Sequence, residues 1–262
     1  MTIQDQAPAS ASGRLNRAAS IAARAGLALT ILGALALLLS ALGSRWEWWG
    51  FRTGFTVLRA TLYGGLLAIV VVLAGLVLGL LARTGRTLLV SIVSLVLLAA
   101  VAAAPVGHLR AAGRVPPIHD ISTDLDDPPR FVAVLPLRRG APNSAEPGGA
   151  DLAAQQRAGY PDLGPGRFPE APERVFVRAT DVARGLGWEI VAAVAAEGRL
   201  EATDRTRWFG FRDDIVVRVR PDGPGSRVDV RSVSRVGRSD LGTNARRIVR
   251  FLEALRAASP DK

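Results

Sequence analysis

Three apolar runs within the first 105 residues limit what this chain can fold into more than any other feature: Gly26 to Leu42, Leu62 to Leu81 and Leu88 to Pro105. At 1.5 Å per residue, a helix of about 20 residues crosses a hydrocarbon core about 30 Å thick. A segment surrounded by lipid must satisfy its own backbone hydrogen bonds, so each run is expected to be helical. The second contains LLAIVVVLAGLVLGLLA without a charge, a composition that fits lipid far better than the interior of a soluble protein. No ionisable residue stands in the middle of a run, and Arg59 lies at an edge where its stem can reach water. Three helices without a buried charge predict an anchor, and the lipid bilayer is the first expected partner.

All but one of the 33 basic residues are arginine, and their positions bear on orientation. Arg14, Arg17 and Arg24 precede the first run, and Arg83 and Arg86 separate the second from the third. Positive-inside reasoning places both segments in the cytoplasm, against Arg45, Arg52, Arg110 and Arg114 on the other side. The expected location is the inner (plasma) membrane, multi-pass, with the C-terminal domain extracytoplasmic. Trp46, Trp48 and Trp49 between the first two runs fit an interfacial belt. A signal peptide ending near Gly43 is the alternative for the first run, but the run exceeds a usual h-region and leads straight to another span. Gly75 and Gly79 form a G-x-x-x-G that suits close packing within the three-helix unit.

The net charge of +10 divides into +6 over residues 1–106 and +4 beyond. A clustered basic face, which nucleic acid would require, is not evident, so no nucleic acid is expected. Without cysteine there is no disulfide framework and no thiolate metal site.

From His108 to Pro172 the chain is rich in Pro, Gly, Ala and Arg, which predicts an extended, partly ordered arm. Within it, Arg130 to Pro136 has β-type content and is a candidate to pair with a sheet. Beyond Pro172 the spacing of Val175, Ala179, Val182, Ala183 and Leu186 predicts a helix. Strands follow at Trp188–Val194 and Gly198–Asp204, then at Asp214–Arg220 and Ser226–Val233 around a Pro/Gly turn. A last helix is expected over Leu241–Ala257, with Ile248, Leu252 and Leu255 on its apolar stripe. The expected fold is thus a membrane α-helical part with three transmembrane helices, followed by an α+β domain. That domain is an antiparallel sheet of four to five strands with two helices packed on one face. The expected organisation is a cytoplasmic tail over 1–24, an anchor over 25–106, the arm over 107–171 and the domain over 172–262.

Alternation puts Ile215, Val217, Val219, Val228 and Val230 on one sheet face and Arg218, Arg220, Asp229, Arg231 and Arg235 on the other. The second face is expected to be solvated, or to bind anionic headgroups or a carboxylate-bearing ligand.

The string TRWFGFRDDIVVRVRP, followed by RVDVRSVSRVGRSDLGTNARRIVRFL, resembles domain-of-unknown-function family 1499. The residues that carry the likeness are Phe209, Phe211, Asp213 and Asp214, then Arg231, Ser232, Ser234, Arg235, Gly237, Asp240, Gly242 and Asn244, with Arg246 and Arg247 after them. PPIHDISTDLDDPPRF also looks like the start of the domain in membrane-anchored members, so the likeness spans about Pro116 to Leu255. It implies a fold neighbourhood but no reaction. The cysteine that many members carry near the domain's N-terminal edge is missing here, so no thiol role carries over.

The ligand-binding candidates are Arg231, Ser232, Ser234, Arg235, Asp240, Asn244 and Arg247, hydroxyl, amide and cationic groups near the N-terminus of the last helix. Capping and a hydrogen-bond network at the strand-to-helix corner explain the same residue types. Asp213 and Asp214 are adjacent on a strand and should point to opposite faces, one paired with an arginine and the other facing solvent. His119, Asp120 and Asp124 are weak metal candidates, without calcium-loop or zinc spacing. Trp208, Phe209 and Phe211 are either a membrane-interface tip or a plug for one end of the core. No nucleophile motif, P-loop or dinucleotide fingerprint is present, so no catalytic residue and no cofactor is assigned. The favoured reading is a non-enzymatic envelope module that binds an anionic lipid, a small anionic ligand or an envelope protein. The alternative is a membrane-anchored hydrolase built on Ser234, Asp240 and neighbouring arginines.

Overall fold

The computed structural model describes residues 11–259, and the chain forms two compact units, 1–107 and 108–262. Residues 1–10 of the expected tail and Lys262 lie outside the described residues, as does the side chain of His108.

In the first unit, three helices are long and apolar enough to cross a membrane: α1 (Ala11–Arg45), α2 (Phe51–Leu81) and α3 (Gly85–Ala112). The helix begins well before the apolar run, so Arg14, Arg17 and Arg24 lie on α1 rather than in a tail. Close approach of α1 and α2 depends on small residues. A Cβ on Gly75 would lie 2.9 Å from the backbone nitrogen of Ala23, and one on Gly26 would lie 2.6 Å from a methyl of Val72. The G-x-x-x-G pair is therefore used inside the unit, with Gly79 lying against Thr87 and Leu88 at the start of α3. Leucines and valines such as Leu66, Val70, Leu73 and Val77 remain exposed, which is consistent with a membrane-spanning helix. Trp49 closes over Gly43, whereas Trp46 and Trp48 stay 53% and 61% exposed at the turn.

The second unit is an α+β domain with a wholly antiparallel, six-stranded sheet. Its strands are β1 (Asp120–Ser122), β2 (Gly166–Phe168), β3 (Glu189–Val194), β4 (Arg199–Arg205), β5 (Arg212–Asp222) and β6 (Gly225–Ser234). The order is β1-β6-β5-β4-β3, and β2 pairs with β6 beside β1. The helices are α4 (Gly149–Gly159), α5 (Pro172–Gly185) and α6 (Thr243–Ala257). Apolar residues of α5 and α6, among them Val175, Ala179, Ile248, Phe251 and Leu255, bury the predicted sheet face of Ile215, Val217, Val228 and Val230. Trp188 stacks on Phe251, with ring centroids 5.0 Å apart.

Two expectations about the arm require correction. Residues 120–168 are built into the domain, supplying β1, β2 and α4. Arg130 to Pro136 does not add a strand. Phe131 and Val134 instead pack on Val216 and Val233, closing a second small core on the arginine-bearing face. That face is consequently covered, not solvated.

Candidate functional site

The arginines of the second face are consumed by carboxylates of the same chain. Arg231, with 0% exposure, forms a two-pronged pair with Asp120 at 2.9 and 2.8 Å and lies 5.2 Å below the Phe131 ring. Arg235 grips both oxygens of Asp214, at 2.9 and 2.8 Å, while Arg138 approaches the same carboxylate from the covering segment. Burial opposes ionisation of Asp214, but its bonds to Arg235 and Thr203 outweigh that, and its pKa falls below the usual carboxylate value. Arg218, Arg220 and Arg227 share Asp124 and Asp229. These arginines hold the covering segment down; they do not present an open cationic surface.

Glu201 is the clearest functional group that sequence reasoning missed. Its carboxylate is fully buried and accepts the backbone N–H groups of Val132, Ala133 and Val134 at 2.9–3.1 Å, with Arg199 as its counter-ion. Three consecutive N–H groups of a turn form a small anion cradle, and the protein fills that cradle itself. The only sequence signal was a charged residue between Leu200 and Ala202 on a strand, with nothing to indicate a partner about 68 residues away.

The other candidates converge at the corner between β6 and α6. The Ser232 hydroxyl donates to the Asn244 side-chain oxygen at 2.7 Å, and the Asn244 amide donates to Ser234 Oγ and the His119 carbonyl, both at 3.0 Å. Arg247 bridges this group to Asp213 at 2.7 Å and Asp204 at 2.8 Å. Asp240 accepts the backbone N–H groups of Gly242 and Asn244, the capping role its position suggested. Leu241 and Gly242 both take left-handed φ, 53° and 75°, which turns the chain sharply enough for Asp240 to reach back. Burial pushes the Asp213 carboxyl above its ordinary value against the pull of Arg247, and burial with nearby Asp213 does the same to Asp240.

Asp213 and Asp214 thus point to opposite faces, as alternation requires, but neither faces solvent. Each has an arginine partner because both sheet faces are covered. A hydroxyl beside a carboxyl of raised pKa has the components of acid–base chemistry. Here Ser232, Ser234, Asn244 and Asp213 are all buried, and each is bonded to another member of the cluster.

The weak metal candidates do not converge either. Asp120 is committed to Arg231 and Asp124 to Arg227, and the His119 ring makes a long 3.4 Å contact with the Arg238 carbonyl. Among the described residues no group of three or more His, Cys, Asp or Glu is placed to hold a metal.

Open space lies elsewhere. A groove of about 460 Å³ runs between the 120–130 segment and α4, with Arg130, Arg157 and Arg231 set against Asp120 and Asp126. Gly148, Gly149 and Ala150 at the start of α4 line it, and Gly148 caps that helix with no side-chain bond, so the first-turn N–H groups have no side-chain acceptor at the cap.

A family model described as protein of unknown function, DUF1499, matches residues 120–255. The chain belongs to the DUF1499 family. The DUF1499 region opens on Asp120, at the start of β1, and closes on Leu255 in α6, so it takes in the segment that covers the arginine face as well as the sheet. DUF1499 membership assigns no reaction, and comparison with curated proteins gave no match.

Proposed function

We propose that this DUF1499 protein is a non-enzymatic binding module held in the cell envelope by its N-terminal helices. The groove beside α4 is its ligand surface, and a small anionic ligand is the class it takes. The observation that carries this reading is the contrast between the two sites. The hydroxyls, amide and carboxylates of the β6–α6 corner are bonded to one another in the interior, whereas the groove stays open and is lined by exposed Arg130 and Arg157 and an uncapped helix start. An anion there gains from Arg130 and Arg157 and from the helix start together. The hydrolase alternative on Ser234 and Asp240 lacks access, since Ser234 is buried and Asp240 is occupied with capping.

Arg83 and Arg86 between the second and third spans, with Arg14, Arg17 and Arg24 before the first, support a cytoplasmic N-terminus and an extracytoplasmic DUF1499 domain in the inner membrane. Trp46, Trp48 and Trp49 then sit at the opposite headgroup layer as an aromatic belt.

Native mass spectrometry of the protein in mild detergent, wild type against Ala150→Trp and Arg157→Glu, tests the binding role. The expected result is a bound anionic species that both variants lose. An empty wild-type groove, or ester or phosphoester turnover abolished by Ser234→Ala, would overturn the proposal.

A further inference from the structure

Trp208, 50% exposed at the β4–β5 turn beside the stacked rings of Phe209 and Phe211, is a single projecting side chain. The groove beside α4 gathers apolar groups instead: Leu125, Pro128, Pro147, Leu152 and Ala153 line it. Leu152 folds back over the start of its own helix, where a Cβ on Gly148 would stand 2.5 Å from its Cδ1. Glycine at 148 is what lets an apolar side chain lie against the helix cap.

Polar groups deep in the groove are matched to one another. Gln156, 1% exposed, accepts the Ser122 main-chain N–H at 3.0 Å and donates to the Ser122 carbonyl at 2.6 Å. This two-pronged bond holds α4 to β1 and occupies the amide. Asp120 is taken by Arg231 in the same two-pronged way. A ligand on the floor therefore meets hydrocarbon, because Ser122, Gln156, Asp120 and Arg231 have their partners within the protein.

The rim differs. Arg157 pairs with Asp126 at 2.8 Å and Arg130 with Glu146 at 3.5 Å, and all four side chains are more than half exposed. Exposed pairs of this kind are weak, so an incoming carboxylate displaces Asp126 or Glu146 at little cost, and a guanidinium fork can hold it by two parallel bonds.

An apolar floor under a cationic rim fits a molecule with a hydrocarbon tail and an anionic end. The volume of about 460 Å³ holds about 15 atoms at the roughly 30 Å³ that one water takes up in the liquid, which is one chain of about a dozen carbons with its headgroup. Two chains of a phospholipid would not fit.

We propose that the groove beside α4 binds a single-chain anionic amphiphile of the fatty-acid type, its tail on the floor of Leu125, Leu152 and Ala153 and its carboxylate at Arg130 and Arg157. This rests on the groove reading proposed above and names the ligand class within it.

Full-length protein in nanodiscs is titrated with butyrate, octanoate and dodecanoate, and with dodecanol and inorganic phosphate, at measured free aqueous concentrations. Hydrogen exchange is followed at residues 120–130 and 147–157, with β5 and β6 as reference. The expected result is protection of the groove segments alone, the half-saturating concentration falling about 2- to 4-fold per added methylene as far as dodecanoate. Dodecanol should bind at least about 10-fold more weakly, since it lacks the charge-assisted bonds. Arg130→Gln/Arg157→Gln should bring dodecanoate to the level of dodecanol. Leu152→Asp should abolish the dependence on chain length, and so should Ala150→Trp, a second variant chosen because Leu152 also packs on the core whereas Ala150 is exposed. Phosphate and butyrate as effective as dodecanoate would overturn the amphiphile and leave a small-anion site standing. Dodecanol as effective as dodecanoate would overturn the anionic end. No protection by any of them would overturn the groove reading itself, and protection spread evenly into β5 and β6 would overturn binding at the groove.

Discussion

Arg231 and Asp120, 111 residues apart in the chain, meet in a two-pronged ion pair with almost no solvent on either side chain. The pair joins the middle of the sheet's polar face to the first residue of the DUF1499 region. Removing one partner leaves a buried charge without compensation, which costs about 3–5 kcal/mol. Arg231→Met should therefore lower the unfolding midpoint of the full-length protein in detergent by many degrees, and Arg231→Met/Asp120→Leu should recover most of the loss. A single variant as stable as wild type would show that the pair is dispensable.

Glu201 fixes the covering segment through three backbone N–H groups, so its loss should act locally. Glu201→Ala is expected to speed hydrogen exchange at residues 130–138 by about 10-fold or more, since unpaired buried donors cost about 1–3 kcal/mol. Exchange in β5 and β6 should change little. Uniformly faster exchange across the sheet would mean that the segment and sheet form one cooperative unit.

Gly198 ends the β3–β4 turn at φ 58°, and a Cβ there would stand 2.1 Å from the Val219 carbonyl oxygen. Both the left-handed backbone and the clash act against any side chain. Gly198→Ala should destabilise the domain by about 2 kcal/mol or more, read from denaturant unfolding, because the backbone oxygen cannot move without breaking the β4–β5 ladder. An unchanged midpoint would mean that the turn relaxes freely.

Glu170 pairs with Arg178 and accepts the Ser259 hydroxyl, and the Arg178 bond brings its carboxyl down from 4.5 to about 2. A carboxylate depressed in the folded state contributes stability above its unfolded value and loses it as pH falls through the folded one. The stability difference between wild type and Glu170→Gln should accordingly be constant above about pH 5.5 and shrink between pH 4.5 and about 2. Unfolding curves taken across that range measure it, and a difference independent of pH would rule out the ion pair as its source. Asp213 runs the other way. Burial raises its carboxyl, so its ionisation works against stability as pH rises through the folded value.

Periodicity over long elements was legible. Val228 and Val230 alternate as a buried strand should, Ile248, Leu252 and Leu255 follow a helical stripe, and both appear as read. β1 and β2 were not legible, because three residues are too few to show a period of two. The corner residues were identified by type, and Asp240 caps as its spacing suggests. Their closure was not visible, since it depends on Arg247 reaching Asp204 and Asp213 across the gap between α6 and the sheet.

The amino-acid sequence alone determined the three apolar helices, the order of the long strands and the membership in DUF1499, because each depends on neighbouring residues or on a contiguous pattern. Tertiary structure decided what the charged residues do. Arg231 on a strand reads as solvent-facing, and only the docking of Phe131 and Val134 on Val216 and Val233 makes it an interior cation. Charge pairing between distant segments is set by which backbone passes within about 3 Å, and local periodicity does not encode that distance.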